Sequence, residues 1–310
     1  MPTETSNPRL RCPLCGASDY EGLKRFDDGV EVGRCAGCGL LYTPLRHVSP
    51  EKVLAPTTVE ALRNVFAPIL RGERSHNRAR NFREYLGIVA RHAPGRRLLD
   101  VGCAHGFLGR EARGAGFTVT GVEPNAGMAA FAAEVNGLEI LEGTLESVDL
   151  ASRTFDAVTF TDSLEYVPDP VGALRKVAEH LAARGIVFLK VPNGRSFLLR
   201  HRLARFGVRG GGGEPFSPSR RVVHYTRQTL AAVAEAAGLE PIEAGEPRPV
   251  HSPPRHCRGE TWVEVEPRWH EALAERAARA ALHHIGRLES ALLRRNDLSP
   301  SLYLVARRGD

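Results

Sequence analysis

Leu98-Leu99-Asp100-Val101-Gly102-Cys103-Ala104-His105-Gly106-Phe107-Leu108 is the stretch on which the fold turns. It reads as a short buried strand, a glycine-bearing turn and the first turn of a helix. Two glycines bracketing three residues let the backbone turn tightly and approach a ligand without a Cβ in the way. The helix that follows presents free N–H groups and the positive end of its dipole, which favours an anionic group over the turn. The spacing is not the G-x-G-x-x-G of a dinucleotide site, and no Gly-Lys-Ser/Thr follows as in a P-loop. A carboxylate on a small cofactor is the remaining natural occupant.

Downstream the pattern repeats. Strand-like Phe117–Glu123, Leu138–Leu141, Phe155–Asp162 and Gly185–Val191 alternate with helical stretches capped by Asn125 and by the pair Asp169-Pro170. Such alternation predicts right-handed βαβ units and a parallel sheet covered on both faces. Thr226 caps a further helix that ends at Gly238, and Leu239–Ala244 and Ser301–Ala306 supply two more strands. The expectation is an α/β, Rossmann-like, mostly parallel seven-stranded sheet. Upstream, a helix from Ser75 to about His92 buries Phe82, Tyr85, Leu86 and Val89, and a long helix is predicted from Arg268 to Arg294.

The N-terminal part has a different character. Cys12-Pro13-Leu14-Cys15-Gly16 and Cys35-Ala36-Gly37-Cys38-Gly39 form a C-x2-C-x19-C-x2-C array. Two such knuckles place four thiolates around one tetrahedral ion, and zinc is the usual occupant. With Cys12, Cys15, Cys35 and Cys38 filling every position, the ion is expected to be structural. The predicted organisation is a zinc ribbon over 1–47, a proline-interrupted helical linker over 48–75, and the α/β domain over 76–310.

The chain has 310 residues, 42% of them hydrophobic and 25% charged, a globular composition with no transmembrane run. Its polar start lacks the apolar core of a signal peptide, so the expected compartment is the cytoplasm, where the cysteines act as thiols or metal ligands. The formal charge of +6 is concentrated between Arg195 and Arg227, where eight arginines face the single acid Glu214. Gly210–Gly213 lies in that window, and residues 194–225 are expected to form an acceptor loop or lid. Four aromatics and no tryptophan fall there, which disfavours a single-stranded nucleic-acid platform. An anionic small molecule held by arginine forks suits the composition better.

Asp100–Gly106, Gly121-Val122-Glu123-Pro124, Phe155–Val158 and Leu164-Glu165-Tyr166-Val167-Pro168-Asp169-Pro170, taken in order, resemble the motifs of class I S-adenosylmethionine-dependent methyltransferases over about residues 76–310. With the ribbon, the whole is similar to bacterial methyltransferases acting on sugars, polysaccharide precursors or natural products. The resemblance implies that Gly102, Cys103, Ala104, His105 and Gly106 cradle S-adenosylmethionine. It places Asp100 near the ammonium, Glu123 and Pro124 at the ribose, Thr144 and Leu145 at the adenine edge, and Asp162 toward the methionine or the acceptor. Two departures stand out: Ala104 replaces a common glycine, and Tyr166 replaces the histidine that often follows the Leu-Glu pair, which removes a histidine base there.

Transfer from a sulfonium needs positioning, plus a base for a hydroxyl or acidic-carbon acceptor. His224, Glu165 and Tyr166 are the candidates, His224 because it precedes a helix cap where relatives bring a polar loop to the acceptor. Plainer roles stand beside these: Asp162 and Glu165 as a cap and a solvated acid, Cys103 as a small turn residue, Cys257 as a spare thiol, His105 as an exposed turn residue. Two rival functions are an RNA or protein methyltransferase gripping phosphates through the arginine window, and a non-catalytic cofactor-binding scaffold.

Overall fold

The computed structural model describes residues 11–26, 29–44, 57–73, 75–204, 221–247, 255–258, 261–264 and 299–309. The glycine run 210–213, the side chain of Cys257 and the predicted helix 268–294 lie outside the described residues. In chain order come β1 (Tyr20–Arg25), β2 (Glu31–Cys35), β3 (Leu41–Tyr42), α1 (Val59–Leu70), α2 (Ala79–His92), β4 (Arg97–Val101), α3 (Phe107–Gly114), β5 (Thr118–Glu123), α4 (Ala126–Glu134), β6 (Glu139–Glu142) and β7 (Phe155–Thr161). A one-turn 3-10 helix at Leu164–Tyr166 precedes α5 (Pro170–Glu179), β8 (Leu181–Pro192), α6 (Gly194–Ala204), β9 (Val223–His224), α7 (Arg227–Ala236), β10 (Leu239–Gly245), β11 (Arg255–Arg258), β12 (Thr261–Glu264) and β13 (Ser301–Arg308).

Seven of these strands form the central sheet in the order β10-β13-β8-β7-β4-β5-β6. The pairs β4–β5, β4–β7, β5–β6 and β7–β8 are parallel, and β13 runs antiparallel to both its neighbours. The chain builds outward from β4 to β6 and then returns to lay β7 on the other side of β4. The switch point therefore lies at the carboxyl end of β4, where open α/β sheets bind ligands. This is the predicted α/β fold.

The sequence explains the two-sided core. Leu98, Leu99 and Val101 on β4, and Ile186 to Leu189 on β8, are buried in unbroken runs, as in sheets covered on both faces. On one face Leu98, Ala157 and Phe188 pack with Phe66, Val89, Leu108 and Phe131 from α1 to α4. On the other, Leu99, Val158 and Phe160 pack with Leu174 and Val233 from α5 and α7. Each such side chain contributes roughly 1.5–3 kcal/mol by leaving water.

The caps fall as expected at α4, α5 and α7. Asn125 Oδ1 accepts from Met128 N at 3.1 Å, and Asp169 Oδ1 accepts from Gly172 N at 2.9 Å with Pro170 in the first turn. Thr226 and Thr229 form a reciprocal capping box. One boundary differs. Helix α2 begins at Ala79, not Ser75, because residues 76–78 turn toward a cavity described below. Helix α5 stops at Glu179, since Leu181 already pairs with Phe155 in the sheet.

The predicted ribbon forms a second sheet, β1-β2-β3, but this sheet has a fourth member: β9, from the far end of the α/β unit, pairs antiparallel with β3. The predicted linker is likewise part of the core, with Leu62 and Phe66 of α1 buried in it. Among the described residues no helix is long and apolar enough to cross a membrane.

Candidate active site

The turn after β4 is built from left-handed residues. Gly102 has φ +73° and Gly106 φ +74°, and Ala104 between them also sits in this region at φ +48°. A Cβ at 102 would lie 2.5 Å from Ser163 Cβ, and one at 106 would lie 2.7 Å from Leu138 Cδ1 and 2.9 Å from Ala132 Cβ. Both glycines are thus required by space as well as by φ. Ala104 carries a strain that glycine at this position would avoid.

Two carboxyls frame the turn. Asp100 is fully enclosed and accepts a hydrogen bond from Thr159 Oγ1 at 2.7 Å, a contact fixed by the register that sets Asp100 opposite Thr159. Burial pushes its carboxyl up to about 7, the Thr159 bond opposing and the nearby Glu123 adding to the rise. Glu123, at the end of β5, takes hydrogen bonds from Ala104 N and Asn125 N, each 2.9 Å. Its carboxyl is also raised by burial, with these two bonds working against the rise. Glu123 therefore ties the turn to the second strand.

A cavity of about 320 Å³ opens beside this turn, within the range of small-molecule sites. Asp100, Gly102, Cys103, Ala104 and His105 border it, together with Phe107 and Leu108 at the N-terminus of α3. Gly106, Glu123, Pro124, Thr144, Leu145 and Asp162 do not border it among the described residues. Thr144 is exposed and donates its N–H to Ser147 Oγ at 3.0 Å, while Leu145 is buried and its carbonyl accepts from Lys176 Nζ at 2.7 Å.

Sequence reasoning missed the opposite wall: Phe66 from α1, with His76, Asn77, Arg78, Phe82 and Thr161. Phe66 stands edge-on to His105 at 4.8 Å and to Phe107 at 4.9 Å, and His76 stacks on Phe107 at 4.4 Å. His105 is therefore part of an aromatic wall, not a bare turn residue. The spacing of single aromatics in a proline-broken stretch carries no signal of this.

Beyond the carboxyl end of β7 lies a second group of charges. Asp162, at φ +56°, pairs with Lys190 Nζ and with Arg78 at 3.0 Å. Burial alone would raise its carboxyl, but Lys190 first and then Arg78 outweigh this and hold it below the ordinary value. Glu165, a candidate base whose plainer reading was a solvated acid, is 1% exposed, and Arg221 Nε lies 3.8 Å from it. Burial, with Asp162 adding repulsion, pushes the Glu165 carboxyl up to about 7. Tyr166 is partly buried beside it, its phenol raised by burial and then by Glu165.

His224 differs from expectation. It sits 1% exposed within β9, paired with Leu41 of the ribbon and edge-on to Phe197 at 6.0 Å. Burial, with Arg221 adding, lowers its imidazole to about 3, so the ring stays neutral and occupies the junction between the two sheets. It does not border the cavity.

The four cysteines converge as predicted. Their sulfur atoms lie within 4.8 Å of one another, with Cys12–Cys38 and Cys15–Cys35 both at 3.5 Å. Tetrahedral zinc at about 2.3 Å from each sulfur needs sulfurs roughly 3.8 Å apart, so the donor set fits that ion with no position left for water.

The family profile described as a methyltransferase domain matches residues 73–244, more than half of the chain. The chain belongs to this family. Among curated relatives, the methyltransferase is 31% identical over 169 residues to a ubiquinone biosynthesis O-methyltransferase of Bordetella avium, covering 51% of this chain and 68% of that protein. It is 38% identical over 117 residues to the protein of that name from Xanthomonas campestris pv. campestris, covering 34% and 47%. The chain spans about half the length of most curated relatives it matches. In structure it resembles a chain from the complex between the Haloferax volcanii Trm112 methyltransferase activator and a methyltransferase, at TM-score 0.51 and 16% identity over 82% of this chain and 98% of that one, a likeness of fold.

Proposed function

We propose that this chain transfers the methyl group of S-adenosylmethionine to a hydroxyl of a small-molecule acceptor. The observation that carries the proposal is the pairing, in one cavity, of the enclosed Asp100 carboxyl with the N-terminus of α3. An amino acid moiety satisfies both: its ammonium meets Asp100 and its carboxylate meets the helix N–H groups. Such an ammonium also returns the Asp100 carboxyl toward its ionised form.

When bound, S-adenosylmethionine supplies an electrophilic methyl group on a sulfonium. The protein's part is to hold and to aim. Glu123 would exchange the Ala104 and Asn125 amides for ribose hydroxyls, and Phe66 and His105 would close the cavity against water. Asp162, kept ionised by Lys190 and Arg78, stands next to Thr161 at the cavity edge and marks the way toward the acceptor. Glu165, on the 3-10 turn that follows β7 and beside Asp162 and Arg221, is assigned by that position as the proton acceptor for the hydroxyl, and burial that pushes its carboxyl up to about 7 supports general-base work at neutral pH. The names of the curated relatives support oxygen as the methylated atom. A sugar, polysaccharide precursor or natural product carrying negative charge suits the arginines of segment 195–227.

The four thiolates are assigned to a structural zinc, with the ribbon over 1–47. The segment 48–75 is assigned to the methyltransferase unit, on the buried Leu62 and Phe66. The test is label transfer from S-adenosyl-[methyl-³H]methionine to cell extract. Label in a small, nuclease- and protease-resistant fraction is expected; label removed by nuclease or by protease overturns the acceptor class.

A further inference from the structure

We propose that the ribbon is the positioning clamp of the acceptor side of the site, with Thr43 and Val222 as its positioning residues. The inference uses the methyl-transfer reading only to name the acceptor side; the coupling stands on backbone geometry. Strand β3 ends at Tyr42, and the next residue, Thr43, donates its N–H to Val222 O at 2.8 Å. Val222 N in turn donates to Glu165 O at 2.8 Å. One residue thus links the ribbon to the 3-10 turn that carries Glu165 and Tyr166.

Three further contacts make the link rigid. Tyr225 Oη donates to Leu164 O at 3.3 Å, and Gly194 N donates to Tyr225 O at 2.6 Å. A Cβ on Gly194 would lie 3.2 Å from Leu41 Cδ1, so the start of α6 is pressed against the ribbon. Cys12, Cys35 and Tyr42 belong to the same hydrophobic cluster as Leu164 and Tyr225. By contrast, the cavity walls come from α1, the residues leading into α2, α2, β4 and its turn, α3, and Thr161 at the end of β7, and none of the cavity's lining residues belongs to the ribbon or to β9.

The arrangement separates two functions. Metal held by the four thiolates orders β3; β3 holds β9 and Val222; these fix the Glu165 turn. The cofactor turn touches this series at Ser163, whose Oγ donates to Val101 O at 2.6 Å, but its own frame is β4, β5 and Glu123, through Gly102 N and Cys103 N on Val122 O and Ala104 N on Glu123. Loss of the ion is therefore expected to loosen the acceptor side while the cofactor side remains competent.

The experiment compares zinc-loaded full-length chain, the same chain stripped by a zinc chelator, and a Thr43→Pro variant that lacks the N–H donor but keeps all four thiolates. Amide hydrogen exchange is followed by mass spectrometry, zinc content by elemental analysis, and S-adenosylhomocysteine affinity by calorimetry. Stripping should accelerate exchange at 222–226 and 164–167 by about tenfold or more, leave 98–108 protected, and change the S-adenosylhomocysteine Kd by less than about threefold. Thr43→Pro should show the same acceleration with zinc still bound; if it releases zinc, it reports the stripped state and the same readings apply.

Ribbon peptides that lose protection while 164–167 keep theirs overturn the clamp. So does joint loss of the 98–108 protection and of S-adenosylhomocysteine binding, because the effect is then global. Failure of the zinc-loaded wild type to bind S-adenosylhomocysteine defeats the methyl-transfer reading instead and leaves the exchange result standing as the test of the clamp.

Discussion

Replacing Asp100 with asparagine should make the cofactor-free protein more stable and the cofactor site weaker, by amounts that depend on pH. In the folded chain the Asp100 carboxyl titrates near 7, against 3.8 for an unburied aspartate. Below the lower value both folded and unfolded chains carry the proton, and no penalty exists. Between the two values the unfolded chain has released its proton and the folded chain has not, so wild-type stability falls as pH rises, by about 1.4 kcal/mol per unit from this group. Above 7 the cost is complete, on the order of 4 kcal/mol. The asparagine amide cannot ionise, fits the same space and still accepts the Thr159 hydroxyl. The difference in unfolding free energy between variant and wild type should thus be small near pH 4 and grow to several kcal/mol by pH 8. Urea unfolding at a series of pH values measures it, and contributions from Glu165 and from the thiolates cancel between the two chains. In calorimetry the variant should bind S-adenosylhomocysteine about 10- to 100-fold more weakly, the worth of one charge-assisted hydrogen bond. A stability difference that stays flat with pH refutes the buried-carboxyl argument; unchanged binding refutes the ammonium assignment.

Ala104→Gly should raise the melting temperature, corresponding to about 0.5–1 kcal/mol, by removing a left-handed alanine; Gly106→Ala should lower it, and a reversed order would show that the turn relaxes freely. Phe66→Ala should cost about 3–4 kcal/mol and weaken S-adenosylhomocysteine roughly tenfold, since it removes both a core side chain and the wall of the cavity; unchanged affinity would count against that wall. Glu165→Gln should lower turnover by about a hundredfold or more and abolish the rise of kcat with pH near 7, with cofactor Kd unchanged; a retained pH limb assigns the base elsewhere. His224→Gln should lower thermal stability and leave the pH–rate profile intact between about pH 5 and 9, because the wild-type ring is already neutral there; a lost limb would return this histidine to the chemistry.

The sheet was legible because its signals are local. The central strands are short apolar runs, the starts of α4, α5 and α7 carry capping residues, and the β4 turn needs glycine where φ is positive. The four cysteines were legible for the same reason, as spacing alone brings each knuckle together. Half of the site was not legible, because it is assembled from distant segments with no motif of their own. Phe66 is one aromatic in a proline-broken stretch, and only the packing of α1 shows that it faces His105. Lys190 sits near the end of a hydrophobic strand, and its meaning comes from Asp162, 28 residues away. The burial of His224 was not legible, because a polar residue before a helix cap looks the same whether the strand it sits in is free or paired. The partner strand, Leu41–Tyr42, lies some 180 residues upstream.

The charge cluster beyond β7 constrains the order of events in the proposed reaction. Arg78, Lys190 and Arg221 surround two carboxyls, Asp162 and Glu165. With Glu165 ionised the set carries one net positive charge, and with Glu165 protonated it carries two. A sulfonium brought to this side meets repulsion in either state, but less when the carboxylate is free. An acceptor oxygen that has given its proton to Glu165 is anionic, and the excess of cations then favours it most. Proton removal and stabilisation of the oxyanion thereby reinforce one another, while methyl transfer afterwards neutralises the pair and weakens the hold on the product. The left-handed Asp162 fits this scheme: a backbone conformation that costs on the order of 1 kcal/mol is kept because it aims the carboxylate at Lys190 and Arg78 together. Without that ion pair, Lys190 would be a bare buried cation, and Glu165 would lose the nearby negative charge that helps to hold its carboxyl near neutrality.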